Sequence, residues 1–102
     1  MENIITICID YDSTYTTDPR LFDAFINMAK NNGHEVICCT MRYEHEAMEM
    51  PETIGRQCPI YFTGRKAKEP FLRAIGISPS IWIDDSPGWI FTDAITPYDE
   101  EN

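Results

Sequence analysis

Asp10-Tyr11-Asp12-Ser13-Thr14 sets two carboxylates at i, i+2 directly after an apolar run. An aspartate can attack phosphorus and carry the phosphoryl group covalently, a role open to Asp10. Asp12 could then protonate the leaving oxygen and afterwards take a proton from water. The same residues also suit a turn closed by an Asx cap, so this stretch alone leaves both readings open.

Three further positions could complete such chemistry. Thr40 follows Val36-Ile37-Cys38-Cys39, where its hydroxyl and the next amide could hold a phosphoryl oxygen. Arg42, two residues on, could add a bidentate phosphate contact. Lys66 or Lys68, near a predicted helix start, would place one ammonium among the acids. Lys68 is preferred, being nearer that start and the apolar face that would fix it. Asp84-Asp85 then follows Ile81-Trp82-Ile83. Two acids after a buried strand are costly unless hydrogen-bonded or bound to a cation. With Asp10 they suit Mg²⁺, a hard ion that prefers oxygen ligands and would hold a substrate phosphate against Asp10.

The elements that must position these groups are legible from pattern. Ile4–Ile9 is a β-branched run suited to a strand buried on both faces. Asp10 to Asp18 is polar and reads as a loop. Asp18-Pro19 fits an N-cap followed by proline in the first helical position. Leu21, Phe22, Phe25, Ile26 and Ala29 form the apolar face of that helix, and Asn32-Gly33 ends it. Glu35–Thr40 predicts a second strand, Tyr43–Met50 a short helix ending near Pro51, and Pro59–Phe62 a third strand. Lys68–Ile75 predicts a helix with Phe71, Leu72 and Ile75 inward, Pro70 in its first turn and Gly76 at its end. Ile81–Ile83 is the fourth strand.

The order β-α-β-(α)-β-α-β with short connections implies an α/β fold: a small three-layer, Rossmann-like arrangement with a mostly parallel sheet of four to five strands. Such sheets place their sites beyond the carboxyl ends of the strands. Asp10 and Asp12, Thr40, and Asp84 with Asp85 all sit at such ends, so sequence-distant groups should converge on one edge.

Composition sets the outer limits. The 102 residues suit one domain, read as 1–97 with an acidic tail at 98–102. Hydrophobic residues at 43% and charged residues at 25% argue against a disordered chain. The net charge of −9 opposes extended nucleic-acid binding and anionic membranes. No apolar run is long enough to cross a bilayer, and Met1-Glu2-Asn3-Ile4 lacks the basic start of a secretory signal. Cys8, Cys38, Cys39 and Cys58 include no CxxC pair and read as buried thiols of a cytoplasmic protein.

Asp-x-Asp-x-Thr, then Thr, then Lys, then Asp-Asp, each after its own strand or helix start, resembles the haloacid dehalogenase superfamily over roughly Ile4 to Trp89. The resemblance implies Asp10 as nucleophile, Asp12 as general acid/base, Thr40 as phosphate-binding hydroxyl, Lys68 (or Lys66) as the lysine, and Asp84 with Asp85 as metal-binding acids. It also implies the Asp12 backbone carbonyl as a Mg²⁺ ligand, and phosphatase activity through an aspartyl-phosphate. Asp84-Asp85-Ser86-Pro87 is similar to the ending of capless members that dephosphorylate protein tails or nucleic-acid ends.

Only 27 residues (13–39) separate Asp12 from Thr40, and 27 (41–67) separate Thr40 from Lys68. Neither gap holds a cap domain, and 13–18 is short for a flap. Water exclusion would then fall to a partner, a second copy or a large substrate. The expected activity is a Mg²⁺-dependent phosphomonoester phosphatase acting on a nucleotide or polynucleotide end. The alternative is a related binding or regulatory protein that has lost turnover and needs a partner. A phospho-accepting receiver domain has its lysine last, the wrong order, and no GxxxxGK[ST] exists for a P-loop. An exposed sheet edge leaves a homo-oligomer open.

Other residues read as structural. His34 precedes a strand, and His45 lies in Glu44-His45-Glu46, where consecutive residues do not share a helix face, so neither reads as a metal site. Met41, Met48 and Met50 suit packing, as does Trp82. Trp89 could stack on a base but is read as packing. Tyr11 and Tyr43 could flank the site.

Overall fold

The computed structural model describes residues 3–94; the predicted acidic tail lies outside them. Four strands, β1 (Thr6–Ile9), β2 (Glu35–Thr40), β3 (Ile60–Phe62) and β4 (Ile81–Ile83), form one parallel sheet in the order β3-β2-β1-β4. The chain runs outward from β1 through β2 to β3, then returns to place β4 on the other side of β1. The topological switch therefore lies between β1 and β4, where an open α/β sheet forms its ligand crevice.

Alternation along the central strands divides the core in two. Ile7, Ile9, Val36 and Cys38 pack on one face against Ile26 and Ala29 of α1 (Pro19–Asn31) and against Met50 and Ile54. Cys8, Ile37 and Cys39 pack on the other against Leu72 and Phe71 of α2 (Lys68–Ala74). Adjacent Cys38 and Cys39 thus point to opposite faces, and all four cysteines are buried free thiols. The three layers are those expected, with four strands.

The signals for α1 act as read. Asp18 Oδ1 accepts Leu21 N–H at 3.1 Å, Pro19 opens the helix, and Gly33 adopts φ +89° just past its end. The buried stripe is narrower than predicted. Leu21 is 56% exposed, and Ile75, which falls just beyond α2, is 53% exposed.

The helix expected over Tyr43–Met50 does not form. Three single 3-10 turns, Glu44–Glu46, Met50–Glu52 and Ile54–Arg56, occupy this stretch and run past Pro51. Glu46 caps the first by accepting Tyr43 N–H at 2.8 Å, and Met48 takes φ +53°, which interrupts any continuous helix. A short α3 (Gly88–Phe91) follows β4 and packs on α2. Among the described residues, no helix is long and apolar enough to cross a membrane.

Candidate active site

Parallel pairing brings the first acids together. Ile9 lies opposite Ile83, and Asp10 N–H donates to the Ile83 carbonyl at 2.9 Å. Asp10 and Asp84 therefore leave β1 and β4 at the same level. Carboxylate oxygens of Asp10, Asp84 and Asp85 all lie within 4.8 Å of one another.

Lys68 reaches this group from the first turn of α2. Its Nζ donates to Asp10 Oδ1 at 2.8 Å and to Asp84 Oδ2 at 2.7 Å, and its side chain is only 3% exposed. Lys66 is exposed, so the choice between the two lysines falls on Lys68. The start of α2 is itself held from a distance: Asp93 Oδ1 accepts Ala67 N–H at 2.7 Å. Ser86 N–H donates to Asp84 Oδ1 at 2.9 Å and fixes that carboxylate's second oxygen.

Thr14 joins the acids from below, a role beyond the sequence reading. Its hydroxyl proton lies within reach of Asp10 Oδ2 (3.0 Å) and Asp85 Oδ1 (3.1 Å), and its oxygen accepts Asp85 N–H at 3.1 Å. The signal was present, since Thr14 is the last residue of the Asp-x-Asp-x-Thr run. Only the fold shows that it faces Asp85, 71 positions away.

The charges in this cluster do not balance. Lys68 pairs with two of the three clustered carboxylates, leaving two negative charges in the cluster if all ionise. At an effective dielectric constant near 20, carboxylates about 4.8 Å apart repel by roughly 3–4 kcal/mol per pair. Burial pushes the Asp10 carboxyl up to about 7 despite Lys68 beside it. Burial opposes the charge on Lys68 too, but Asp10 and Asp84 override it and hold the ammonium above its ordinary range. Asp85 is held low by its hydrogen bond with Asp10, aided by Thr14. A dication would supply the missing two charges. Three carboxylate oxygens held this close together could bind a metal ion.

The second carboxylate of the motif sits differently. Asp12 is exposed, and Arg42 grips it with a bidentate fork: Nη2 to Oδ1 at 2.7 Å and Nε to Oδ2 at 3.0 Å. The guanidinium expected to meet a phosphate thus meets Asp12. Its remaining edge donates to the Glu46 and Ala47 carbonyls at 2.8 and 3.3 Å, and its face lies 5.1 Å from the Tyr11 ring centroid. Tyr11 is core rather than site wall, 2% exposed, with its hydroxyl donating to Glu49 at 2.6 Å. Thr40 is buried at the end of β2, and its Oγ1 accepts Arg42 N–H at 3.2 Å, leaving its own O–H to donate.

Asp10, Asp12, Thr40, Arg42, Lys68, Asp84 and Asp85 line a cleft of about 750 Å³ at the carboxyl ends of the strands. That volume accommodates a phosphate together with a leaving group of nucleoside size. The 3-10 turns supply its outer wall, where His45 stacks on Tyr43 and Arg65 pairs with Glu46 at 3.0 Å. Trp89, expected to pack, is 44% exposed and lines the cleft. His34 lies away from the cleft and accepts Ile5 N–H at 3.3 Å through Nδ1.

Comparison with family models, with curated proteins and with solved structures finds no match to this chain.

Proposed function

We propose that the chain is a Mg²⁺-dependent phosphomonoester phosphatase that works through an aspartyl-phosphate on Asp10. One observation carries this reading: three carboxylates gather at the sheet's switch point, and the buried Lys68 ammonium pairs with two of them, leaving two negative charges uncompensated when all three ionise. The cleft beside them supports it, being large enough for a phosphate and its leaving group.

Asp10 attacks phosphorus, forming an Asp10–phosphorus bond as the bond to the leaving oxygen breaks. Asp12, protonated at the start of the cycle, gives that oxygen its proton, and the alcohol departs. Asp12 then takes a proton from water as the water oxygen bonds phosphorus, releasing inorganic phosphate and restoring the Asp10 carboxylate. Lys68, with two N–H groups on Asp10 and Asp84, keeps a third for a phosphoryl oxygen. The Thr40 hydroxyl donates to another. Asp10, Asp84, Asp85 and the Asp12 backbone carbonyl would hold Mg²⁺, which would supply charge that offsets repulsion between carboxylate and phosphate.

Phosphate release from p-nitrophenyl phosphate and a panel of nucleoside monophosphates, with Mg²⁺ or EDTA, tests this for wild type and Asp10→Asn. The expected result is metal-dependent release that falls at least about a thousandfold in the variant. No release by folded, Mg²⁺-binding wild type would overturn it in favour of a phosphate-binding or regulatory protein.

A further inference from the structure

Arg42 carries a second assignment. Its fork is fully engaged by a carboxylate that would otherwise be free to rotate: Asp12 has a side chain 55% exposed, while the Arg42 side chain is 20% exposed. Exposed ion pairs in general contribute little to stability. This one is built as a fixture. The two N–H groups on Asp12 lie at 2.7 and 3.0 Å, the opposite edge is pinned to the Glu46 and Ala47 carbonyls, and the face rests over Tyr11. The Tyr11 hydroxyl is fixed in turn by Glu49 and by Thr53, 3.3 Å away. The backbone N–H of the same arginine donates to Thr40 Oγ1. One residue therefore holds both the Asp12 carboxylate, through its side chain, and the Thr40 hydroxyl oxygen, through its backbone N–H.

We infer that Arg42 is a positioning residue for Asp12 and not a ligand of the substrate phosphate. The inference rests on the phosphatase reading above, in which Asp12 transfers the proton to the leaving oxygen. A planar fork fixes a carboxylate in a way a lysine ammonium cannot, because it delivers two parallel N–H groups. A small displacement of a proton donor is costly when the leaving group is strongly basic and less so when it departs unaided. Arg42 therefore acts on the turnover of esters with poor leaving groups, and the 3-10 wall that pins it belongs to the same machinery.

The test compares wild type, Arg42→Gln, Arg42→Lys, Asp12→Asn and the Asp12→Asn/Arg42→Gln double variant, each confirmed folded by its thermal transition. The substrates are p-nitrophenyl phosphate and glycerol 2-phosphate, an alkyl ester, with inorganic phosphate as inhibitor. Arg42→Gln should lower kcat for the alkyl ester by about a hundredfold and for the aryl ester by distinctly less. KM and phosphate inhibition should stay within about twofold. Arg42→Lys, with charge but no fork, should fail to restore the alkyl rate. In the Asp12→Asn background the Gln substitution should add less than about twofold, since its effect runs through the missing carboxylate. Phosphate inhibition weakened tenfold or more in both backgrounds would overturn the assignment and make Arg42 a phosphate ligand. A folded wild type without turnover on either ester would overturn the phosphatase reading itself, and this assignment with it.

Discussion

Removing one negative charge from the acid cluster should stabilise the metal-free protein while abolishing the proposed activity. Asp10→Asn keeps an amide oxygen to accept from Lys68 and removes the charge that burial penalises. Asp10 in the folded protein is pushed up to about 7 from an ordinary 3.8. The native state thus holds this proton more tightly than the unfolded chain does. The carboxyl's contribution is full below the ordinary value and is lost as pH climbs through the folded one. About three pH units at about 1.36 kcal/mol each give a penalty of roughly 4 kcal/mol by pH 8, of which about 2 kcal/mol is already present at pH 5. Urea unfolding in EDTA at both pH values reads the difference between Asp10→Asn and wild type. The advantage of the variant should widen by about 2–3 kcal/mol from pH 5 to pH 8. A variant less stable than wild type at pH 8, or a difference unchanged with pH, would refute the reasoning and show that Lys68 fully compensates the buried charge.

Other expectations follow from the same geometry. Magnesium at about a hundred times its dissociation constant should raise wild-type stability by about 2–3 kcal/mol, seen as a thermal shift of roughly 10 °C or more. EDTA should reverse that shift, and Asp85→Asn should abolish it. Gly64→Ala should cost roughly 1–3 kcal/mol in urea unfolding, because φ is +63° and the new Cβ would sit 2.8 Å from ring carbons of Tyr43. Gly33→Ala, at φ +89° but in open space, should cost only about 1 kcal/mol. All four cysteines should resist a thiol reagent at pH 8 until denaturant is added, since each is buried and burial pushes the Cys58 thiol up to about 11.

The sheet and its two flanking helices were legible because each is specified locally. Ile4–Ile9 and Glu35–Thr40 are too apolar for anything but central strands, and Asp18-Pro19 and Asn32-Gly33 bracket α1. The convergence of Asp10, Asp84 and Asp85 was legible for a related reason, since strand ends of a parallel sheet share one edge. What was hidden depends on long-range choice. Arg42 selects Asp12 across 30 positions, and Asp93 caps α2 across 26. The 3-10 turns were hidden because 43–56 has no apolar period, and Pro51 and the left-handed Met48 divide it into single turns. The exposure of Leu21 and Ile75 could not be read from spacing, which gives a face but not its width.

The stretch of single turns between β2 and β3 divides the site by depth of protection. Asp10, Asp84 and Asp85 follow β1 and β4, whose ladder should exchange its amide hydrogens only through near-global unfolding. The pins of Arg42 are the Glu46 and Ala47 carbonyls, on residues whose own amides make short-range bonds, Glu46 N–H to Tyr43 at 2.8 Å and Ala47 N–H to Glu44 at 3.1 Å. These amides belong to the class that exchanges through small local openings. During such an opening the acid cluster would stay assembled while the grip on Asp12 lapsed. Phosphate could then be held without being turned over, so occupancy and competence of one cleft would follow different clocks.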